Sequence, residues 1–155
     1  MITAHHEKLI DHLDEIKVLF PAHYKELALN QDHVPLDPQY DIYLDREARG
    51  EVIFTALREA GEVIGYFVGF IAPGLHYKTC LTCTMDIFYV RQDKRNKGAG
   101  LILFAEVEKE LRRRGVQRWF MGSKLHKDVS CLFERIGAKP VEMYYSKWLG
   151  EDHAQ

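Results

Sequence analysis

Between residues 83 and 114 the hydrophobic period changes from that of a strand to that of a helix across one short, basic, glycine-bearing turn. Cys83-Thr84-Met85-Asp86-Ile87-Phe88-Tyr89-Val90 is rich in β-branched and aromatic residues and predicts a strand. Downstream, Leu101, Leu103, Phe104, Val107 and Leu111 fall on one stripe of a predicted helix from Leu101 to Arg114. Such a turn presents free backbone N–H groups at the positive end of the helix dipole, a ready anion site. Gly98 and Gly100 let a phosphate approach the backbone closely, and Arg95 and Lys97 add positive charge. The segment therefore predicts a site for a phosphorylated ligand. It is not a Walker loop, because Gly-x-x-x-x-Gly-Lys-Ser/Thr is absent, and no third glycine completes Gly-x-Gly-x-x-Gly.

The rest of the chain is read from periodicity and turn signals. Residues 3–20 predict an amphipathic helix with Leu9, Leu13, Ile16 and Phe20 on one side, stopped by Pro21. Ala22 to Asn30 predicts a second short helix, Asp32 to Gln39 a proline-bearing loop, and Ile42 to Arg49 a helix ended by Gly50. Val52 to Glu59 and Val63 to Ile71 predict two strands joined by the turn Ala60-Gly61-Glu62, followed by a strand over Lys78 to Val90. After the long helix, Gly115 is a C-cap and Val116 to Gly122 a buried strand. Asp128 to Arg135 predicts a short helix closed by Gly137, and Val141 to Leu149 a final strand.

With 155 residues, 46% of them hydrophobic, the chain is expected to form a single domain over residues 1–155 with a real core. It shows neither an 18-residue apolar run nor a secretory apolar segment, so a soluble cytoplasmic protein with no membrane partner is expected. Cys80 and Cys83 form one Cys-x-x-Cys without a second pair, and Cys131 is remote. No metal site is expected from them, and reduced, structural cysteines are. His6-Glu7 is followed by Ile10 rather than a histidine, so the metalloprotease helix pattern fails.

Charge is segregated. Residues 1–62 carry 13 acidic and 6 basic side chains, and residues 91–139 carry 6 acidic and 13 basic. This pattern suits an anionic cofactor and a cationic acceptor, as well as ordinary solvated faces. Arg112-Arg113-Arg114 ends a predicted helix, where cations are favoured by the dipole without any partner, so a nucleic-acid partner is disfavoured.

Val90, then Arg95-Asn96-Lys97-Gly98-Ala99-Gly100, resembles the Arg/Gln-x-x-Gly-x-Gly/Ala signature of the GNAT N-acetyltransferases. Leu132-Phe133-Glu134-Arg135-Ile136-Gly137-Ala138 is similar to a second landmark of that family, Leu/Phe-Tyr-Glu-Lys-Leu-Gly-Phe. Here Phe133 stands where many members have a tyrosine, and Ala138 replaces an aromatic. The overall pattern, including Leu75-His76-Tyr77, is similar to small acetyltransferases encoded in phage genomes.

The resemblance implies an α/β GNAT fold: a mixed, mostly antiparallel sheet of six to seven strands flanked by helices. It also implies acetyl-CoA as cosubstrate, held by Phe88, Tyr89, Val90, Arg95, Asn96, Lys97, Gly98, Ala99, Gly100, Ser130 and Phe133. The acceptor is then an amine on a small molecule or peptide, and a homodimer is compatible with the family. A CoA-binding module without turnover and a nucleic-acid-modifying relative are the alternatives.

Acyl transfer to an amine needs a base, because the ammonium form is no nucleophile. Asp86 is the candidate, expected to share one strand face with Phe88 and Val90 and so to have its pKa raised by apolar surroundings. Backbone N–H groups near Phe88 to Val90 are implied to hold the developing oxyanion. Phe133 cannot donate a proton to the departing thiolate. Tyr144, Tyr145 and His126 are the candidate acids, and unaided departure is the alternative.

Overall fold

A computed structural model of the chain describes residues 1–151. Its elements run β1 (Ile2–His6), α1 (Leu9–Lys17), α2 (Phe20–Leu27), α3 (Tyr40–Ala48), β2 (Val52–Glu59), β3 (Glu62–Gly74) and β4 (Tyr77–Val90). A 3₁₀ turn at Gln92–Lys94 precedes α4 (Ala99–Arg113), β5 (Arg118–Phe120) and α5 (Ser130–Arg135). Among the described residues the sheet has five strands in the order β1-β2-β3-β4-β5. All neighbours are antiparallel except β4 and β5, which pair in parallel.

The sheet is buried on both faces, which is why β2 and β3 read as near-continuous apolar runs. On one face α4 lays Leu103, Phe104, Val107 and Leu111 against Ile53, Leu57 and Phe67. On the other, α1 and the turn into α2 place Leu9, Ile16 and Leu19 against Phe54, Tyr66 and Val68. The amphipathic stripe expected of residues 101–114 is therefore the one that covers the sheet.

Several expectations are corrected. Residues 3–20 are not one helix. Ile2 to His6 form an edge strand paired with Thr55–Glu59, and Glu7 N–H continues the contact to Phe54 C=O. The helix begins only at Leu9, because the Glu47 carboxylate of α3 accepts the N–H groups of Leu9 (2.6 Å) and Ile10 (3.0 Å). That cap lies 38 residues away in sequence, beyond the reach of periodicity. Pro21 does not stop a helix but sits in the first turn of α2, where its missing N–H costs nothing.

The sheet falls short of six to seven strands at its carboxyl-terminal end. The strand expected over Val116 to Gly122 shrinks to Arg118–Phe120, pairing only with Thr82–Thr84. Residues 141–149 join no ladder, and Val141, Met143, Tyr144, Tyr145 and Leu149 are exposed. Trp148 instead stacks on His33, rings 4.8 Å apart, which ties this segment to the loop after α2. The three cysteines are free, and burial pushes the Cys83 thiol up to about 12.

Candidate active site

Because β5 pairs with β4 only as far as Thr84, the two strands part beyond it and residues 85–90 of β4 keep a free edge. Arg91 N–H donates to Ile64 C=O at 2.8 Å. Antiparallel alternation then gives Tyr89 and Ile87 the bonds to β3 and turns the N–H groups of Phe88 and Val90 toward the open edge. A cavity of about 880 Å³ lies along this edge, from the amino terminus of α4 to the space beneath α1, α2 and α3.

At one end of the cavity is the turn singled out in the sequence. Gly98 has φ +71°, caps α4 without a side-chain partner, and Ile102 N–H makes the first helical bond back to Gly98 C=O. The N–H groups of Ala99, Gly100 and Leu101 thus lack helical acceptors at the positive end of a 15-residue helix. A Cβ at Gly98 meets nothing within 4 Å, so the backbone is open to an incoming anion. Asn96, Gly98, Ala99 and Gly100 line the cavity, together with Lys124, Lys127 and Arg135 from across it.

Arg95 differs from expectation. Its guanidinium donates to both Glu26 carboxylate oxygens (2.6 and 2.8 Å) and to Val90 C=O (2.8 Å). It is a strut tying α2 to the end of β4, with its charge already paired. Lys97 is exposed and does not line the cavity.

Asp86 sits in the middle. The register passes from Gly69↔Met85 to Val68↔Ile87, leaving Asp86 as the extra residue of a β-bulge. Strict alternation is broken there, so Asp86 does not share a face with Phe88 and Val90. The Phe88 ring packs edge-on against Phe104 (5.0 Å) on the α4 side. The Asp86 carboxylate instead accepts a hydrogen bond from the Tyr43 hydroxyl of α3, on the opposite side. Burial raises the Asp86 pKa, and the Tyr43 hydrogen bond and the Arg46 charge oppose that rise.

Tyr43 and His23, which both line the cavity, gave no motif in the sequence. His23 stacks on Tyr89 (5.0 Å, 18°) and bonds the Tyr66 hydroxyl at 2.7 Å, and burial lowers its pKa to about 4. Only a helix register that aims residues 23 and 43 inward could have revealed them.

The remaining expected residues are dispersed. Phe133 is buried among Phe88 (6.1 Å) and Phe104 (5.5 Å), in the core rather than in the cavity wall. Ser130 spends its hydroxyl on Asp128 (3.0 Å), although its neighbours Cys131 and Leu132 do line the cavity. His126 lies in an exposed turn, and Tyr144 and Tyr145 are 90% and 88% exposed, all three outside the lining. The inward-facing tyrosine expected of a final strand is absent because that strand does not form.

The profile of the acetyltransferase (GNAT) family matches residues 18–137. The chain belongs to that family. It is accordingly an acetyl-CoA-dependent N-acetyltransferase. No curated protein sequence matches the chain at a significant level.

Among solved structures it is similar to an aminoglycoside acetyltransferase from an uncultured soil metagenomic sample (TM-score 0.74, 12% identity, 97% of this chain and 99% of that one). A ribosomal-protein-alanine N-acetyltransferase from Brucella melitensis biovar Abortus 2308 is also similar (TM-score 0.70, 17% identity, 97% and 100%). So is a predicted acetyltransferase from Clostridium acetobutylicum solved with acetyl-CoA (TM-score 0.67, 15% identity, 99% and 100%). At these identities the likeness establishes the fold. Among the described residues no helix is long and apolar enough to cross a membrane.

Proposed function

We propose that this protein acetylates a primary amine on a small molecule or peptide, with Asp86 as the base and the amino terminus of α4 as the pyrophosphate cradle. The observation that carries this reading is the run of the cavity, which joins the uncapped N–H groups of α4 to the half-buried Asp86 carboxylate by way of the free edge of β4. Acetyl-CoA supplies an acyl group activated as a thioester. Asn96, Gly98, Ala99 and Gly100 fit its anionic part, since the start of α4 offers N–H groups without helical acceptors and Gly98 carries no side chain.

Asp86 takes one proton from the acceptor ammonium, which frees the nitrogen lone pair to form the new N–C bond. The Phe88 N–H, turned to the open edge, is placed for the negative charge that develops on the acyl oxygen. As the C–S bond breaks, its electron pair leaves on sulfur as a thiolate. The burial of Phe133 and the exposure of Tyr144, Tyr145 and His126 favour departure without a dedicated acid. The second proton of the attacking nitrogen passes to solvent. We place the reaction in the cytoplasm, where acetyl-CoA is supplied.

A nucleic-acid acceptor is less well supported. Arg112 pairs with Glu108, and Arg113 and Arg114 pair with Glu110.

Release of free thiol from acetyl-CoA, measured against amines and peptides, tests the reading. Transfer that Asp86→Asn suppresses is the expected result. Transfer that is indifferent to Asp86→Asn returns this residue to a structural role.

A further inference from the structure

Past Asp86 the cavity opens between α1, α2, α3 and the loop before α3, and its walls there are apolar. Leu13, Phe20, Leu36, Tyr40, Tyr43 and Ile87 face it from five different segments. Phe20 stacks nearly parallel to Tyr40 (6.4 Å, 7°) and meets Tyr66 edge-on (5.5 Å, 78°), so the aromatic wall is held rigid by its own packing.

Charge in the cavity is divided. The lining cations, Arg95, Lys124, Lys127 and Arg135, come from the loop before α4 and the segment around α5, where Glu26 and Asp128 also line the cavity and Glu26 pairs with Arg95 and Lys127. The end under α1 to α3 has the carboxylates of Asp86 and Asp37, and His23 beside it is neutral at pH 7 because burial lowers its pKa to about 4. An acceptor entering here meets the half-buried Asp86 carboxylate at the inner end, the exposed Asp37 carboxylate and apolar side chains around its body.

We infer that the acceptor is a primary amine carried on an apolar body, aliphatic or aromatic, with its ammonium at Asp86 and its body among Leu13, Phe20, Leu36 and Tyr40. This rests on the acetyl-transfer reading and narrows it. A polycation or an aminosugar leaves further ammonium or hydroxyl groups among apolar side chains with few partners, which such a wall disfavours. An apolar wall also lowers the pKa of the one ammonium it admits, easing proton loss to Asp86.

The experiment compares kcat/KM for hexylamine and phenethylamine with that for spermidine and kanamycin, at saturating acetyl-CoA, by thiol release. The apolar amines are expected to be preferred by roughly tenfold or more, the discrimination of about one well-buried side chain. Leu36→Glu, on a half-exposed loop position that tolerates charge, is expected to lower kcat/KM for the apolar amines roughly tenfold. The thermal shift with acetyl-CoA is expected to survive that substitution.

Preference for spermidine or kanamycin, or indifference to Leu36→Glu, overturns the inference and leaves the transferase reading intact. Transfer to none of the four overturns it too, and a missing thermal shift with acetyl-CoA then removes the underlying reading as well.

Discussion

The Tyr43 hydroxyl donates a hydrogen bond to the Asp86 carboxylate, joining α3 to the bulge of β4 across the cavity. This contact favours the ionised form of Asp86 while burial opposes it, so the carboxylate is held above its ordinary pKa but below what burial alone sets.

A base must be ionised to act, so kcat/KM should rise with pH through the raised pKa of Asp86. Asp86→Asn should lower turnover by about 10²–10⁴ and remove that limb. Tyr43→Phe withdraws a bond that lowers the pKa, so its acidic limb should move to higher pH with a smaller loss at the plateau. A pH–rate profile of each variant checks both. An unmoved limb in Tyr43→Phe means that the hydroxyl does not tune Asp86.

The same residue should show opposite signs for stability and activity. The folded state raises the Asp86 pKa above its unfolded value, so the protonated form favours folding and that contribution is lost as pH rises through the folded pKa. At neutral pH the ionised carboxylate is therefore a burden on the fold. Asp86→Asn is neutral, keeps an oxygen that accepts from Tyr43, and should raise Tm at pH 7 while lowering turnover. Thermal denaturation of both proteins at pH 7 gives the sign directly.

His23 sets the acid sensitivity of the α2 face. Its pKa falls from about 6.5 unfolded to about 4 folded through burial, so its contribution is fully present above the unfolded value and is lost as pH falls toward 4. The loss amounts to on the order of 2–3 kcal/mol over that window, less whatever solvent reaches the ring. His23→Gln should flatten this part of the stability–pH curve. A parallel curve in the variant assigns the acid sensitivity to other groups.

Gly98 tests the anion cradle. Acetyl-CoA at a hundredfold excess over its Kd should stabilise the protein by about 2.7 kcal/mol. Gly98→Glu should abolish that shift, since it puts a side chain and a negative charge where a Cβ now meets nothing, and it also strains a φ of +71°. Gly98→Asn, better tolerated at positive φ, separates the two effects. It should fold near normally and still weaken the shift.

Phe133→Tyr tests whether the position can supply an acid. Phe133 is 7% exposed and enclosed by Phe88 and Phe104. A hydroxyl added there without a partner should lower stability by about 1–3 kcal/mol and leave turnover nearly unchanged. A gain in turnover instead shows that the hydroxyl reaches the cavity and that thiolate departure limits the native rate.

What the sequence determined is local. The strand, the glycine turn and the amphipathic helix between residues 83 and 114 follow from periodicity and backbone chemistry, each of which acts over a few neighbouring residues. The glycine turn proposed as the pyrophosphate cradle was legible for that reason. Tertiary structure decided what depends on distant partners. Glu47 starts α1 at Leu9, and pairing with β2 turns residues 2–6 into a strand. Glu26 claims the charge of Arg95, which the sequence had assigned to the ligand. The bulge at Asp86 is an offset between two strands, invisible in either alone, and it carries the carboxylate from the α4 face to the one where Tyr43 waits. The last strand failed for the same kind of reason. The aromatic and β-branched residues of 141–149 supply a strand propensity, but a ladder needs a neighbouring strand to receive it, and β5 ends at Phe120.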